Sequence, residues 1–112
     1  MPVADSGATE TLQNAVAATG VGTAIDVKGM RRLTLHITGT FVGTISFEGT
    51  VDDSNWFPVG LKTAADGAAV VSATAVGAFK MPIDGPTLSQ LRANVTAYTS
   101  GNITVKSRKD VR

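Results

Sequence analysis

His36 is the single histidine of a 112-residue chain that has no cysteine. A transition-metal site would therefore rest almost wholly on carboxylates, an unusual donor set for zinc, and a thiolate nucleophile is excluded. Thr34 and Thr38 flank His36 at strand spacing, so it reads as a solvated or interface histidine. Asp52, Asp53 and Asn55 offer oxygen ligands of the kind calcium takes, but the stretch lacks the glycine and distant glutamate of an EF-hand loop. Turn formation accounts for them. Glu10 and Glu48 are the only glutamates, so the paired carboxylates of a glycosidase would have to come from loop aspartates. The reading is of a non-enzyme, with no catalytic residue, no metal site and no cofactor.

What remains is contact chemistry. Trp56 and Phe57 are adjacent and could stack on a sugar or a base, yet a tryptophan in a hairpin arm of so small a β-domain is more often core. Tyr98 falls on the polar side of its strand and is a better exposed contact. Arg31, Arg32 and Arg92 could form a basic patch, without the aromatic ladder that single-stranded nucleic acid requires. The end of the chain, Lys106, Arg108, Lys109 and Arg112, carries four bases against one acid. Arg31, Arg32, Tyr98, Lys106, Arg108, Lys109 and Arg112 are thus the candidate partner contacts.

These residues must be positioned by β-strands. Leu33, Leu35 and Ile37 alternate with Arg32, Thr34, His36 and Thr38, the period of a half-buried strand. Phe41, Ile45, Phe47 and Val51 do the same against Thr44, Ser46, Glu48 and Thr50, and Gly39 with Thr40 predicts a hairpin between the two strands. Asp52 to Asn55 predict a second hairpin, returning through Trp56 to Val59. Residues 11–19 suit a short helix or a strand, and the flanking Gly20 and Gly22 favour the strand. A further short strand is expected over 23–27, a turn at Asp66 and Gly67, and two strands between 68 and 83 closed by Asp84, Gly85 and Pro86. A strand over 88–98 is followed by a turn at Ser100, Gly101 and Asn102 and a last strand beginning at Ile103. The sum is an all-β chain, an antiparallel β-sandwich or jelly roll of about eight short strands. Residues 1–10 read as a flexible N-terminal arm, 11–108 as a single domain and 109–112 as a basic C-terminal tail.

Composition agrees with that class. Hydrophobic residues make up 43% and charged residues 17%, which argues against disorder. A formal charge of +1 gives no general attraction to nucleic acid or acidic membranes. No apolar run is long enough to span a bilayer, and the first ten residues have neither the basic nor the apolar region of a secretory signal, so export would need another route such as cell lysis.

Two separated blocks carry a resemblance. Gly39 to Val59 follows the pattern "G-T-F-x-G-x-I-x-F-E-G, turn, N-W-x-P-V", and Gln90 to Val105 follows "Q-(V/L)-R-A-x-V-x-A-Y-T-S-G-x-(I/V)-T-V". In this order they resemble small structural proteins encoded among the head and tail genes of tailed bacteriophages, over about residues 20–108. The resemblance implies a virion component, made in the host cytoplasm: a head decoration protein, head fibre base or tail accessory protein. Its expected partners are capsid or other virion proteins and copies of itself. A second likeness, to discoidin-like sandwiches that bind carbohydrate or lipid, rests on Thr50, Asp52, Asn55 and Trp56, with Asp53 and Ser54 where glycine is usual. It implies the alternative function, a carbohydrate-binding module of a host-recognition structure with a host glycan as partner.

Overall fold

Leu33, Leu35 and Ile37 are buried while Arg32, Thr34, His36 and Thr38 are exposed, so the alternation written in the sequence is the one the chain adopts. The computed structural model describes residues 9–28, 30–81 and 88–111, excepting the side chains of residues 30, 31, 110 and 111. Nine strands occur among the described residues: β1 (Thr9–Val16), β2 (Ile25–Asp26), β3 (Met30–Thr50), β4 (Trp56–Pro58), β5 (Leu61–Thr63), β6 (Ala69–Val70), β7 (Ser72–Ala73), β8 (Gly77–Lys80) and β9 (Gln90–Val111). Every pairing is antiparallel, and no helix occurs among the described residues. The chain is an all-β, antiparallel β-sandwich.

Two very long strands organise it. β3 and β9 hydrogen-bond along almost their whole length, from Arg32 opposite Asp110 to Thr50 opposite Gln90. The first half of β3 and the second half of β9 lie in a layer ordered β1-β9-β3-β8-β5-β6. Their other halves take β2, β4, β7 and a bridge from Gly20 to Val95. The ribbon must fold back on itself, and one contact proves it. Phe79 pairs with Leu35, and Phe47 lies twelve positions beyond Leu35 on the same strand, roughly 40 Å away if β3 were straight. Their rings are 5.3 Å apart. Gln13 repeats the lesson for β9: its strand pairs with Val105, yet its side-chain amide donates to Ala93 O at 2.7 Å.

The bend sits where two glycines face the opposite strand. Gly39, at φ 113, lies across from Ile103, and Gly101, at φ 92, lies across from Phe41. A Cβ on Gly101 would stand 1.9 Å from Thr40 O, and one on Gly39 would stand 2.3 Å from Asn102 O. Only glycine combines that backbone angle with so close a carbonyl. Register shifts after Val42 and after Thr44 add local twist to the same region. Gly101→Ala should therefore cost about 2–3 kcal/mol in urea melts, through forced positive φ and a displaced strand. Gly60→Ala, whose Cβ would meet nothing closer than Val70 O at 3.9 Å, is the control and should change stability far less.

Both glycines correct the expected connectivity. Gly39 and Thr40 do not join two hairpin arms, and Ser100, Gly101 and Asn102 do not form a turn between strands; each stretch lies inside one continuous strand of 21 or 22 residues. Conformational freedom at glycine serves a bend in a strand as well as it serves a turn, and the residue types alone do not distinguish them. The odd face of β3 is the core face through Ile45 and Phe47, but Phe41 is half-buried and Val51, 63% exposed, lies outside the strand at the hairpin mouth. The hairpin between β3 and β4 forms as expected, with Thr50 opposite Trp56, and residues 9–16 take the strand. The ends differ from the expected boundaries: Thr9 and Glu10, assigned to a flexible arm, belong to β1, and Lys109, assigned to a tail, is part of β9. Residues 1–8, Ile83 with the strand end at Asp84, Gly85 and Pro86, and Arg112 lie outside the described residues.

Candidate functional site

Cross-strand partners share a face of a sheet, so the pairing register shows which polar residues meet. One row runs Thr9, Arg108, Thr34, Lys80 and Lys62 across β1, β9, β3, β8 and β5. The next runs Thr11, Lys106, His36 and Ala78. Arg32 stands two positions before Thr34, opposite Asp110. All five of Arg32, Lys62, Lys80, Lys106 and Arg108 are exposed, half of the ten Lys and Arg in the chain. A nearly neutral protein thus has one strongly cationic sheet face.

The candidate contacts are only partly brought together there. Arg32, Lys106 and Arg108 share this face, whereas the Arg31 side chain and Arg112 lie outside the described residues. Tyr98 is elsewhere, half-buried against the core near the bend, where its hydroxyl donates to Gly101 O at 2.8 Å. Lys109 points the other way. It is 4% exposed, its ammonium donates to Asp26 O and lies 3.0 Å from Glu10 Oε1, so it ties the start of β1 and β2 to the end of β9. Strand alternation explains the correction: Lys109 continues the inward series Ile103, Val105, Ser107, and an inward lysine is not available to a partner. Lys62 and Lys80 were missed as contacts. Lys80 alternates with Phe79 and Met81 and so reads as outward, but nothing local places β8 beside β3 or β5 beside β8.

A second polar group lies on the outer side of the other layer. Glu48 and Arg92 are directly opposite, with Arg92 Nε 2.7 Å from Glu48 Oε1 and Asn94 Nδ2 donating to Glu48 Oε2 at 3.2 Å. The Arg92 guanidinium lies over the Trp56 ring at 4.1 Å from its centroid, a cation–π contact. Trp56 is half-buried rather than core, and Arg92 covers a face of its ring. Arg92 is on this layer, away from the cationic face.

The Asp52 turn uses its carboxylate internally. Asp52 Oδ1 accepts from Thr50 Oγ1 and from the backbone N–H groups of Ser54 and Asn55, and Oδ2 accepts from Asn55 Nδ2. These bonds, with the Asn55 backbone N–H first, hold its carboxyl far below the usual carboxylate range. The Thr63 hydroxyl and Ala68 N–H lower Asp66 similarly, and the Lys28 N–H lowers Asp26. A carboxyl whose folded pKa lies below its unfolded value of about 3.9 stabilises the fold above that value and loses the contribution as pH falls through the folded pKa. The melting-temperature deficit of Asp52→Ala should thus be full at pH 7 and shrink steadily on acidification below about pH 4.

The XepA family profile matches residues 8–109, nearly the whole chain. The chain belongs to the XepA family. That span begins one residue before β1 and ends on Lys109, so it takes in the residues of β1 and β2 that Lys109 ties to β9. The crystal structure of SPBc2 prophage-derived protein YomS is similar with a TM-score of 0.80 at 20% identity, covering 91% of this chain and 90% of YomS. That of PBSX exported protein XepA is similar with a TM-score of 0.85 at 17% identity, covering 97% of this chain and 39% of that one. The present chain therefore spans well under half the length of that XepA protein. At these identities the likeness is one of fold. A search of curated proteins gives no match.

Proposed function

We propose that this XepA-family chain is a non-enzymatic structural protein of a tailed phage, bound to the exterior of the capsid as a decoration or accessory component in several copies. The observation that carries the reading is membership of the XepA family, together with a fold shared with a prophage-derived protein and a PBSX exported protein. The architecture supports it: a small sandwich with open strand edges gains cover from a partner, and weakly bound copies gain avidity on a repeating lattice. Purified protein mixed with particles lacking it should co-sediment to a fixed number of copies per particle. Failure to sediment with heads or tails at any protein excess would end the proposal.

The alternative is a carbohydrate-binding module. The half-exposed ring of Trp56 beside polar side chains favours it, while Arg92 stacked on the ring weighs against it, since a sugar docking on that face would have to displace the guanidinium from both Trp56 and Glu48. A glycan array separates the two readings: neutral sugars retained through Trp56, and lost in Trp56→Ala, would favour the module.

A further inference from the structure

We propose that the outer sheet face carrying Arg32, His36, Lys62, Lys80, Lys106 and Arg108 binds a flexible, base-free poly(phosphodiester), a polymer of the poly(glycerol phosphate) kind. The proposal stands independently of particle attachment. Lys62 and Lys80 are direct cross-strand partners, and like charges in that relation destabilise a sheet. Their repulsion has no use in folding, and an anion between them would relieve it. Arg108 follows two strands on, through Thr34. By strand spacing, Lys62 and Lys80 are about 5 Å apart at the backbone, Lys80 and Arg108 about 10 Å, and Lys106 and Arg108 about 7 Å. Thr34 lies between Arg108 and Lys80, Thr9 and Thr11 flank Arg108 and Lys106 on the edge strand, and their hydroxyls can donate to phosphate oxygens. Asp110, opposite Arg32, is the one acid in these rows, so the face stays strongly cationic. Arg32 and Arg108 also interact within the chain, and the argument uses their charge rather than their freedom.

The rest of the face selects among polyanions. Its cross-strand rows contain no Phe, Tyr or Trp and a single imidazole, His36, too few rings for successive bases to stack on, which disfavours single-stranded nucleic acid. A sheet presented by its face offers no element to enter a duplex groove. The apolar residues in the rows are Ala69 and Ala78, too small to insert into lipid. Protein interfaces are usually built on aromatic anchors and are poor in lysine, the reverse of this composition. A flexible chain of phosphodiesters needs none of these features and can bring a phosphate to each cation.

Titration of the full chain with synthetic poly(glycerol phosphate), with duplex DNA of equal charge and with phosphatidylglycerol vesicles tests the proposal. Poly(glycerol phosphate) should bind most tightly, with affinity falling on the order of 0.7 log units per log unit of salt for each phosphate contact. Lys62→Gln with Lys80→Gln should weaken binding about twenty-five-fold, from about fivefold per lysine. The same double variant should melt higher than the parent at low salt, because a like-charge pair is gone. Lys28→Gln, at a turn off this face, is the control and should bind as the parent does. Absence of binding at low salt, unchanged binding by the double variant, or equal or tighter binding to the duplex or the vesicles would each overturn the proposal.

Discussion

Lys109→Glu should cost about 3–5 kcal/mol in urea melts, the penalty for breaking a buried ion pair and leaving an unmatched charge inside. The new carboxylate would face Glu10 Oε1, now 3.0 Å from the ammonium, and the carbonyl oxygen of Asp26, with no donor for either. Three elements would lose their tie at once, since β1, β2 and the end of β9 meet at this side chain. Lys109→Met is the instructive companion. It keeps volume and removes the charge, and Glu10, 31% exposed at its side chain, can turn to water, so its loss should be well under half as large. Lys106→Glu, three residues earlier on the exposed face, should stay within about 0.5 kcal/mol. Similar losses for Lys106→Glu and Lys109→Glu would show that Lys109 is not buried.

Phe47→Ala should cost about 3–5 kcal/mol, the range for removing a fully buried phenylalanine. Phe47 is wholly buried, and its tilted contact with Phe79 is the place where the two halves of β3 meet. A cavity there separates the layers as well as removing apolar area, so the loss should fall at the upper end of the range. Val51→Ala should change stability by no more than about 0.5 kcal/mol, although Val51 continues the same odd-numbered series. Equal losses at the two positions would mean that β3 runs on past Thr50 with Val51 inside.

Alternation made the faces of the strands legible: Leu33, Leu35, Ile37, Ile45 and Phe47 were all read as inward and are all buried. The turn at Asp52 was legible for a similar reason, because four consecutive turn formers have few other uses. Strand length was not. Gly39 and Gly101 carry turn signals, and the feature that makes them bends is the partner strand's carbonyl, more than sixty residues away in sequence. Lys109 was misread because charge weighed more than its place in an inward series. The cationic face was half legible: Arg32, Lys106 and Arg108 come from two strands with visible alternation, whereas Lys62 and Lys80 join them only through the order of β5, β8 and β3.

The doubled-back ribbon also sets the order in which the molecule can be made. β9 is the last of the described strands to leave the ribosome, yet β1 and β2 pair only with it and β3 pairs with it along almost its whole length. A nascent chain that stops before residue 90 can pair β3 with β4, β7 and β8, but β1, β2 and the other edge of β3 have no strand to lie beside. It cannot close the sandwich by domain-wise folding from the N-terminus, and its pairings span large sequence separations, which slows folding once synthesis ends. Arrested chains ending at residue 89 should therefore be protease-sensitive throughout, with resistance appearing in one step when β9 is released.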